Sequence, residues 1–133
     1  MIPLKLFLEN FLSYSEDVAP DRRTLDFRGF TLACLSGKNG HGKSALLDAL
    51  TWALWGVCRT RNKEEVIKRG AKRATVELEF DLDGNHYWVR RTITRKKGFG
   101  TSTSVDFQVY DATTGALEHL HKMEELRMQL IRY

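Results

Sequence analysis

Residues 37–44 read Gly-Lys-Asn-Gly-His-Gly-Lys-Ser and match the spacing G-x-x-x-x-G-K-S, which is typical of phosphate-binding loops. Glycines let the backbone turn its N–H groups toward phosphate oxygens, and a helix that starts at the loop adds partial positive charge. In such a loop Lys43 supplies a full positive charge to the β- and γ-phosphates, and Ser44 offers its hydroxyl to Mg²⁺. The pattern therefore predicts a nucleotide-binding site with Lys43 as its catalytic residue.

The segments on either side of this loop have the patterns that such a site requires. Residues 30–35 form a nearly continuous apolar run, which predicts a strand buried on both faces. Residues 43–55 carry apolar side chains at helical spacing, and Gly56 follows directly, so we predict a helix that ends there. The competing interpretation is a glycine-rich turn that binds nothing, and the flanking strand and helix argue against it.

The rest of the chain indicates short strands. Residues 4–11 predict a strand with one buried face, and residues 24–27 predict a short second strand. Later the apolar period changes to two, and turn signals at Asp83-Gly84 and Gly98-Phe99-Gly100 separate three segments. These predicted antiparallel strands are residues 74–82, 86–95 and 102–110. Because Glu77, Glu79 and Asp81 alternate with apolar residues, we predict that one face of this meander is wet.

We expect the 133 residues to form one unit, because the chain has the length of an ordinary domain and is 42% apolar and 29% charged. Its predicted parts are a P-loop unit at about 1–58, a basic loop at 59–73, an antiparallel sheet at 74–111 and a terminal helix at about 122–133. No apolar run is long enough to span a membrane, so no membrane partner is expected. Cys34 and Cys58 are the only cysteines, which excludes a disulfide scaffold and fits a reducing cytoplasm.

A working P-loop ATPase also needs a carboxylate on a neighbouring buried strand to hold Mg²⁺ and orient water. The nearest candidates are Phe80-Asp81 and residues 109–111, and we reject both because their strands look half-exposed rather than central. The chain also contains no Ser-Gly-Gly signature segment. We therefore expect half of an active site, and ATP turnover by the isolated chain below about 0.1 s⁻¹.

The positive charge is concentrated in two segments. Residues 59–73 contain seven Lys or Arg residues and residues 90–97 contain five, against a net charge of +4 for the chain. Either segment could contact DNA phosphates, with Arg95, Lys96 and Lys97 as one candidate patch, but for any single residue we favour a solvated surface. Arg90 and Arg91 must point to opposite faces of their strand, so only one of the two can join a given patch.

The order of motifs resembles the N-terminal ATPase lobe of SbcC-type DNA double-strand-break-repair ATPases, relatives of SMC proteins in the ABC superfamily. The resemblance covers about residues 3–133. The motifs that carry it are Asn10-Phe11-Leu12-Ser13, the P-loop, Leu47-Asp48-Ala49-Leu50, Leu54-Trp55-Gly56 and Lys68-Arg69-Gly70-Ala71. The implied fold class is α/β: a P-loop NTPase half-head with a strand–P-loop–helix unit and an antiparallel meander, incomplete without a C-terminal lobe.

The resemblance also implies ATP and Mg²⁺ as cofactors and assigns candidate residues to their site. The residues implied around the nucleotide are Asn39, Gly40, Gly42, Lys43, Ser44, Ala45 and Lys68, with Ser44 at the metal. The implied partners are the C-terminal lobe of the same protein, a second ATPase head that joins in an ATP-dependent dimer, an SbcD-type nuclease and double-stranded DNA. The implied location is the cytoplasm, in association with the nucleoid.

One residue departs from the family pattern, and three other functions remain open. Many relatives carry an arginine that approaches the nucleotide where this chain has Leu12, so that contact cannot be transferred. Another SMC-like or RecF-like repair ATPase would share these motifs. A small P-loop kinase is disfavoured because about 36 residues precede the loop and an antiparallel meander replaces the expected βα repeats. A non-enzymatic module that binds an anion is the third alternative.

Overall fold

The computed structural model describes residues 1–12, 24–28, 43–57, 60, 62–82, 84–110 and 117–119, with only the backbone at 43–45 and 117–119. Within these ranges lie six strands, one α-helix and one 3-10 helix. The strands are β1 Ile2–Glu9, β2 Thr24–Asp26, β3 Arg73–Leu82, β4 Asn85–Arg95, β5 Thr101–Tyr110 and β6 Leu117–His119. The α-helix α1 spans Lys43–Trp55, and the 3-10 helix spans Lys63–Val66. None of these helices is both long enough and apolar enough to cross a membrane.

All six strands belong to one antiparallel sheet with the order β2-β1-β3-β4-β5-β6. The three predicted meander strands are confirmed as β3, β4 and β5, and the strands predicted at 4–11 and 24–27 are confirmed as β1 and β2. The N-terminal strand β1 pairs with β3, so the start of the chain extends the same sheet as the meander. That pairing joins residues about 70 positions apart, such as Leu6 with Leu78, and alternation alone does not indicate it.

Helix α1 packs on one face of this sheet and closes the hydrophobic core. Alternate residues of β3 point toward the helix, and Val76, Leu78 and Phe80 are fully buried together with Ala49 and Ala53 of α1. Antiparallel strands with one covered face show this alternation of buried and more exposed positions. The predicted helix over 43–55 is confirmed, because its buried stripe contributes to this core.

The opposite face of the sheet is polar but less exposed than its sequence pattern predicts. Glu77, Glu79 and Asp81 project from β3 on this face and are half-buried. Phe7 and Trp88 stand beside the two glutamates and help to line a small pocket of about 190 Å³. Cross-strand neighbours on the same face cover each other, which explains why these carboxylates are only partly exposed to solvent.

The strand positions differ from one prediction. The expectation that β3 and β5 are half-exposed is confirmed. Strand β3 lies between β1 and β4, and β5 lies between β4 and β6, so both strands are interior and the expectation that they are not central is wrong. An interior strand of an antiparallel sheet still keeps one face toward solvent, and alternating polarity therefore does not mark an edge. The predicted strand over 30–35, the loop over 37–42, the terminal helix, Cys34 and Cys58 lie outside the described residues.

Gly56 ends α1 in a left-handed conformation. Its φ is +72°, its N–H donates to the Trp52 carbonyl at 2.8 Å, and a Cβ at this position would lie 2.9 Å from Nη1 of Arg91. Gly84 in the β3–β4 turn has a similar φ of +79° but open space around it. The two glycines therefore share the backbone requirement and differ in their surroundings.

We expect Gly56→Ala to lower the free energy of unfolding more than Gly84→Ala does. The left-handed backbone costs each alanine about 1–2 kcal/mol. Crowding against Arg91 adds about 1 kcal/mol or more at position 56 only. Urea unfolding of both variants measures the difference, and equal losses would show that the Arg91 contact is not restrictive.

Candidate phosphate-binding helix

The predicted phosphate site centres on the N-terminus of α1. Lys43 is the first residue of this 13-residue helix, Ser44 is the second and Ala45 the third. The first turn carries no acidic side chain. Free N–H groups and the helix dipole favour an anion at this end, and a carboxylate there would repel one. The residues of this turn therefore fit a phosphate group, and a serine hydroxyl with a lysine ammonium fits Mg²⁺-bound phosphates. Asn39, Gly40 and Gly42 lie outside the described residues.

The opposite end of α1 is fixed to the sheet by Arg91 of β4. The Arg91 side chain is 6% exposed, and its Nε donates to the Ala53 carbonyl at 3.3 Å. Its guanidinium also lies 5.8 Å from the centroid of the Trp52 ring. A cation near the last carbonyls of a helix is favourable, because the helix dipole is negative there. Arg91 therefore helps to fix the position of α1 on the sheet, and with it the position of the predicted phosphate site.

Sequence reasoning placed Arg91 in a basic segment and did not assign it this role. The prediction that Arg90 and Arg91 face opposite sides is confirmed, since Arg90 is exposed and Arg91 is buried. The available signal was position: in the alternation of β4, Arg91 falls in register with Val89 and Ile93, which are buried core residues. An arginine at a core position needs a polar partner, and the sequence alone does not show that the C-terminal end of α1 lies beside Arg91 in space.

Aromatic packing connects α1 to the N-terminal segment that follows β1. The Phe11 and Trp52 rings lie 5.3 Å apart at 40°, and both side chains are buried. Phe11 pairs with Ile67, and the Leu12 N–H donates to the Val66 carbonyl at 2.8 Å. The helix, the N-terminal segment and the stretch after the 3-10 helix therefore form one packed group.

Lys68 belongs to this group. It is half-buried, and its backbone N–H donates to the Asn10 carbonyl at 2.7 Å. Asn10 and Leu12 both have positive φ values, of 53° and 50°, so the chain turns sharply where it leaves β1. These contacts place the backbone of Lys68 beside the Asn-Phe-Leu motif, while a contact between its side chain and a nucleotide remains a prediction.

A groove of about 560 Å³ lies next to this group. Its walls carry both charge signs, from Glu64, Glu65, Arg69 and Arg95, and Leu12 forms an apolar part of the wall. Leu12, where the resemblance implies an arginine in many relatives, presents a neutral side chain to the groove. The left-handed φ of Leu12 is unusual for a leucine and indicates that its surroundings hold it in place.

The rejection of Asp81 as a metal-holding carboxylate has a structural reason. Asp81 lies on the sheet face opposite α1 and pairs with the His86 ring at 3.0 Å, while Glu79 lies 3.6 Å from the other ring nitrogen. Within the described residues no group of three His, Cys, Asp or Glu side chains is arranged to hold a metal ion. Asp111, the other candidate, lies outside those residues.

Two carboxylates on the polar side of the molecule have shifted pKa values. Burial raises the pKa of Glu77, and the nearby Arg90, whose Nε lies 3.2 Å from it, only partly offsets this effect. Asp26 is exposed, and hydrogen bonds from the Arg28 side chain and backbone lower its pKa to about 2. Neither group faces α1, so these shifts describe the sheet surface and not the predicted phosphate site.

The two basic segments meet in space at one end of the sheet. The Arg95 N–H donates to the Lys72 carbonyl at 2.8 Å, and Arg73 pairs with Thr94 across β3 and β4. The Arg95 side chain also donates to the Ala71 carbonyl at 3.2 Å. Because Lys96 and Lys97 follow directly, this end of the molecule carries cations from both segments. Arg59 and Arg61 lie outside the described residues.

Comparisons with known proteins give one matching family model and several similar relatives. The family model described as AAA domain matches residues 5–130. The chain is 39% identical over 110 residues to a DNA double-strand break repair Rad50 ATPase of Thermoplasma volcanium, covering 82% of this chain and 11% of the relative. It is 36% identical over 100 residues to the SbcC component of the nuclease SbcCD from Deinococcus radiodurans, and the match covers 73% of this chain and 10% of the relative. The SbcC component from Staphylococcus aureus is 33% identical over 127 residues, and the match covers 89% of this chain and 12% of the relative.

A solved structure has a similar fold. The recombination mediator protein RecF, in a structure titled RecF-ATP in the RecFOR pathway, matches with a TM-score of 0.53 and 19% identity. The match covers 94% of this chain and 29% of that chain. At this identity the likeness concerns the fold alone. Together with the AAA domain match, it confirms the predicted fold class at the coarse level of a P-loop NTPase-like fold.

The resemblance inferred from the motifs is confirmed, since the relatives found are SbcC and Rad50 proteins. The chain spans about a tenth of the length of these curated relatives. In general terms, similarity to these ATPases and to the AAA domain model implies nucleotide binding. By the match over residues 5–130, the chain belongs to the AAA domain family.

Proposed function

We propose that this chain is the ATP-binding N-terminal lobe of an SMC-like DNA-repair ATPase of the SbcC type. The observation that carries the proposal is that Lys43 and Ser44 occupy the first turn of a helix whose other end Arg91 fixes to the sheet. A phosphate site works only if its donors keep a constant position, and a packed helix provides that. The relatives named for Rad50 and SbcCD support the class, and the fold of RecF supports a RecF-like lobe as the alternative.

In this proposal each residue of the loop and helix has a distinct role. Backbone N–H groups around Asn39, Gly40, Gly42 and Ala45 surround phosphate oxygens, and Lys43 places its ammonium against the terminal phosphates. Mg²⁺, when bound, neutralises charge on the phosphates, and the Ser44 hydroxyl is its ligand from this chain. Lys68 contributes a further positive charge beside the nucleotide.

Hydrolysis in this proposal requires a C-terminal lobe of the same protein. Asp81 lies on the sheet face away from α1 and pairs with His86, so it is not placed to hold Mg²⁺ at the start of α1. In this proposal the C-terminal lobe supplies the carboxylate that holds Mg²⁺ and orients water, together with the signature segment. The complete head then hydrolyses ATP, joins a second head, and controls DNA binding and an associated SbcD-type nuclease in the nucleoid region of the cytoplasm.

The role of Ser44 gives a direct test. We expect Ser44→Ala to remove most of the increase in ATP affinity that Mg²⁺ produces, while affinity without Mg²⁺ changes by less than about twofold, because only the metal ligand is lost. Binding of a fluorescent ATP analogue with and without Mg²⁺ measures this ratio. Ser102→Ala on the exposed part of β5 is the matched control. A Mg²⁺ effect of wild-type size in Ser44→Ala would count against the proposed metal site.

A further inference from the structure

The β4–β5 turn, residues 96–100, presents a single aromatic side chain to solvent. Phe99 is 96% exposed, more than any other large apolar residue that the structure describes. Isolated apolar side chains are common on surfaces, so exposure alone indicates nothing. The surroundings of Phe99 make it informative.

The turn is built to hold this side chain outward. The Lys96 N–H donates to the Gly100 carbonyl at 3.1 Å, which closes the turn, and Gly98 and Gly100 on either side of Phe99 have φ values of +96° and +92°. At the base of the turn, the Arg95 side chain donates to the Ala71 carbonyl and lies 3.7 Å from Glu64. The base is therefore fixed, and Phe99 stands at the tip, almost fully open to solvent.

The charge around Phe99 favours a polyanion as the ligand. Lys96 and Lys97 are exposed beside it, and Lys72 and Arg73 lie at the base of the same hairpin. From Gly84 to Val105 the sequence contains no acidic residue. A single phenylalanine among cations offers too little apolar area for a stable protein interface. Cations for phosphates together with an aromatic ring for a base face are the usual means of binding single-stranded nucleic acid.

We propose that Phe99 stacks on an unpaired DNA base while Lys96 and Lys97 contact the adjacent phosphates. The inference rests on the proposed function for the identity of the ligand as DNA, and it adds which DNA is preferred. In a closed duplex the base faces are covered by their neighbours, whereas single strands and frayed ends expose them. The hairpin therefore distinguishes DNA with an accessible base face from intact duplex.

The test compares two DNAs on the full chain. One is a single-stranded oligonucleotide that carries 2-aminopurine, whose fluorescence reports stacking, and the other is a duplex closed by hairpins at both ends. We expect Phe99→Ala to weaken binding of the single strand about tenfold and to leave binding of the closed duplex within about twofold. Phe99→Tyr should restore both affinity and the 2-aminopurine signal, whereas Phe99→Leu, which is apolar but not aromatic, should not.

Two controls separate stacking from charge. Tyr110→Ala removes another exposed aromatic at the far end of β5 and should change neither affinity nor fluorescence. Lys96→Gln with Lys97→Gln should weaken binding of both DNAs, and should reduce the salt slope on the single strand by about 0.7 for each lost phosphate contact. Phe99→Ala should leave that slope unchanged, because it removes no charge.

The outcomes distinguish this inference from the proposed function. If both DNAs bind with a normal salt slope and Phe99→Ala binds the single strand as wild type does, the stacking inference is overturned and the proposed function stands. If the wild-type chain binds neither DNA at low salt, the DNA part of the proposed function fails, and the inference fails with it. If Phe99→Ala alters self-association and not DNA binding, Phe99 is a protein contact and the inference is wrong.

Discussion

Replacing Lys43 with alanine is expected to weaken binding of Mg²⁺–ATP by about 10- to 100-fold, because a charge-assisted hydrogen bond contributes about 1.5–3 kcal/mol. Lys43 is the first residue of α1, where the helix dipole already favours an anion, so part of the phosphate affinity remains without the ammonium. The residual affinity should still depend on Mg²⁺, since Ser44 is unchanged. Competition against a fluorescent ATP analogue measures the loss.

The matched control for Lys43 is Lys63→Ala. Lys63 is an exposed lysine in the 3-10 helix, outside the predicted site, and its loss changes the net charge by the same amount. We expect this control to change ATP affinity by less than about twofold, since a distant exposed charge is screened by salt. Equal losses in the two variants would mean that the affinity reflects general positive charge, and a specific phosphate site would be excluded.

Arg91→Met is expected to lower the free energy of unfolding by about 1.5–5 kcal/mol. The substitution keeps most of the side-chain length and removes the guanidinium that donates to the Ala53 carbonyl and lies beside the Trp52 ring. A buried carbonyl without its donor costs about 1–3 kcal/mol, and the lost cation–π contact adds about 0.5–2 kcal/mol. Urea unfolding followed by tryptophan fluorescence measures the change, because Trp52 reports on this packing.

Arg90→Met is the control for Arg91 and differs by one position along β4. Arg90 is exposed and pairs with Glu77 across the polar face of the sheet. Surface ion pairs contribute about 0–1 kcal/mol, so this variant should stay within about 1 kcal/mol of wild type. A loss at Arg90 as large as that at Arg91 would show that charge on β4 matters and that the contact with the end of α1 does not.

The local elements follow from the sequence because neighbouring residues determine them. Two-residue alternation in β3 and β4, with Gly84 at a positive φ between them, predicts a hairpin from residues close in the chain. The helical spacing that ends at Gly56 likewise predicts α1 and its last residue. In both cases the turn chemistry and the apolar period indicate the same structure, which makes the prediction secure.

The non-local contacts do not follow in the same way. Pairing of β1 with β3 depends on which strand edge of the sheet is available to β1, and no pattern within residues 2–9 contains that information. The burial of Arg91 depends on the end of a helix about 38 residues earlier in the chain. The sequence did not indicate the interior position of β3, because β3 is interior only through its pairing with the distant strand β1.

For the candidate site, the sequence indicates which residues could bind phosphate, and the structure shows which contacts hold their helix on the sheet. The spacing of Gly37, Gly42, Lys43 and Ser44 carries the phosphate prediction, since those residue types are needed at those intervals. The sequence did not indicate that Phe11, Trp52 and Arg91 connect the helix to the sheet, because packing partners are far apart in the chain.

Calorimetric titration of Mg²⁺–ATP into the chain, repeated after a C-terminal lobe is supplied, tests the phosphate site at α1 most directly. A site at this helix predicts saturable binding of about one ATP per chain, tighter when the lobe is present, and weakened by Lys43→Ala in both cases. Absence of binding by the wild-type chain even with the lobe present would contradict the assignment of residues 37–44 as a nucleotide site.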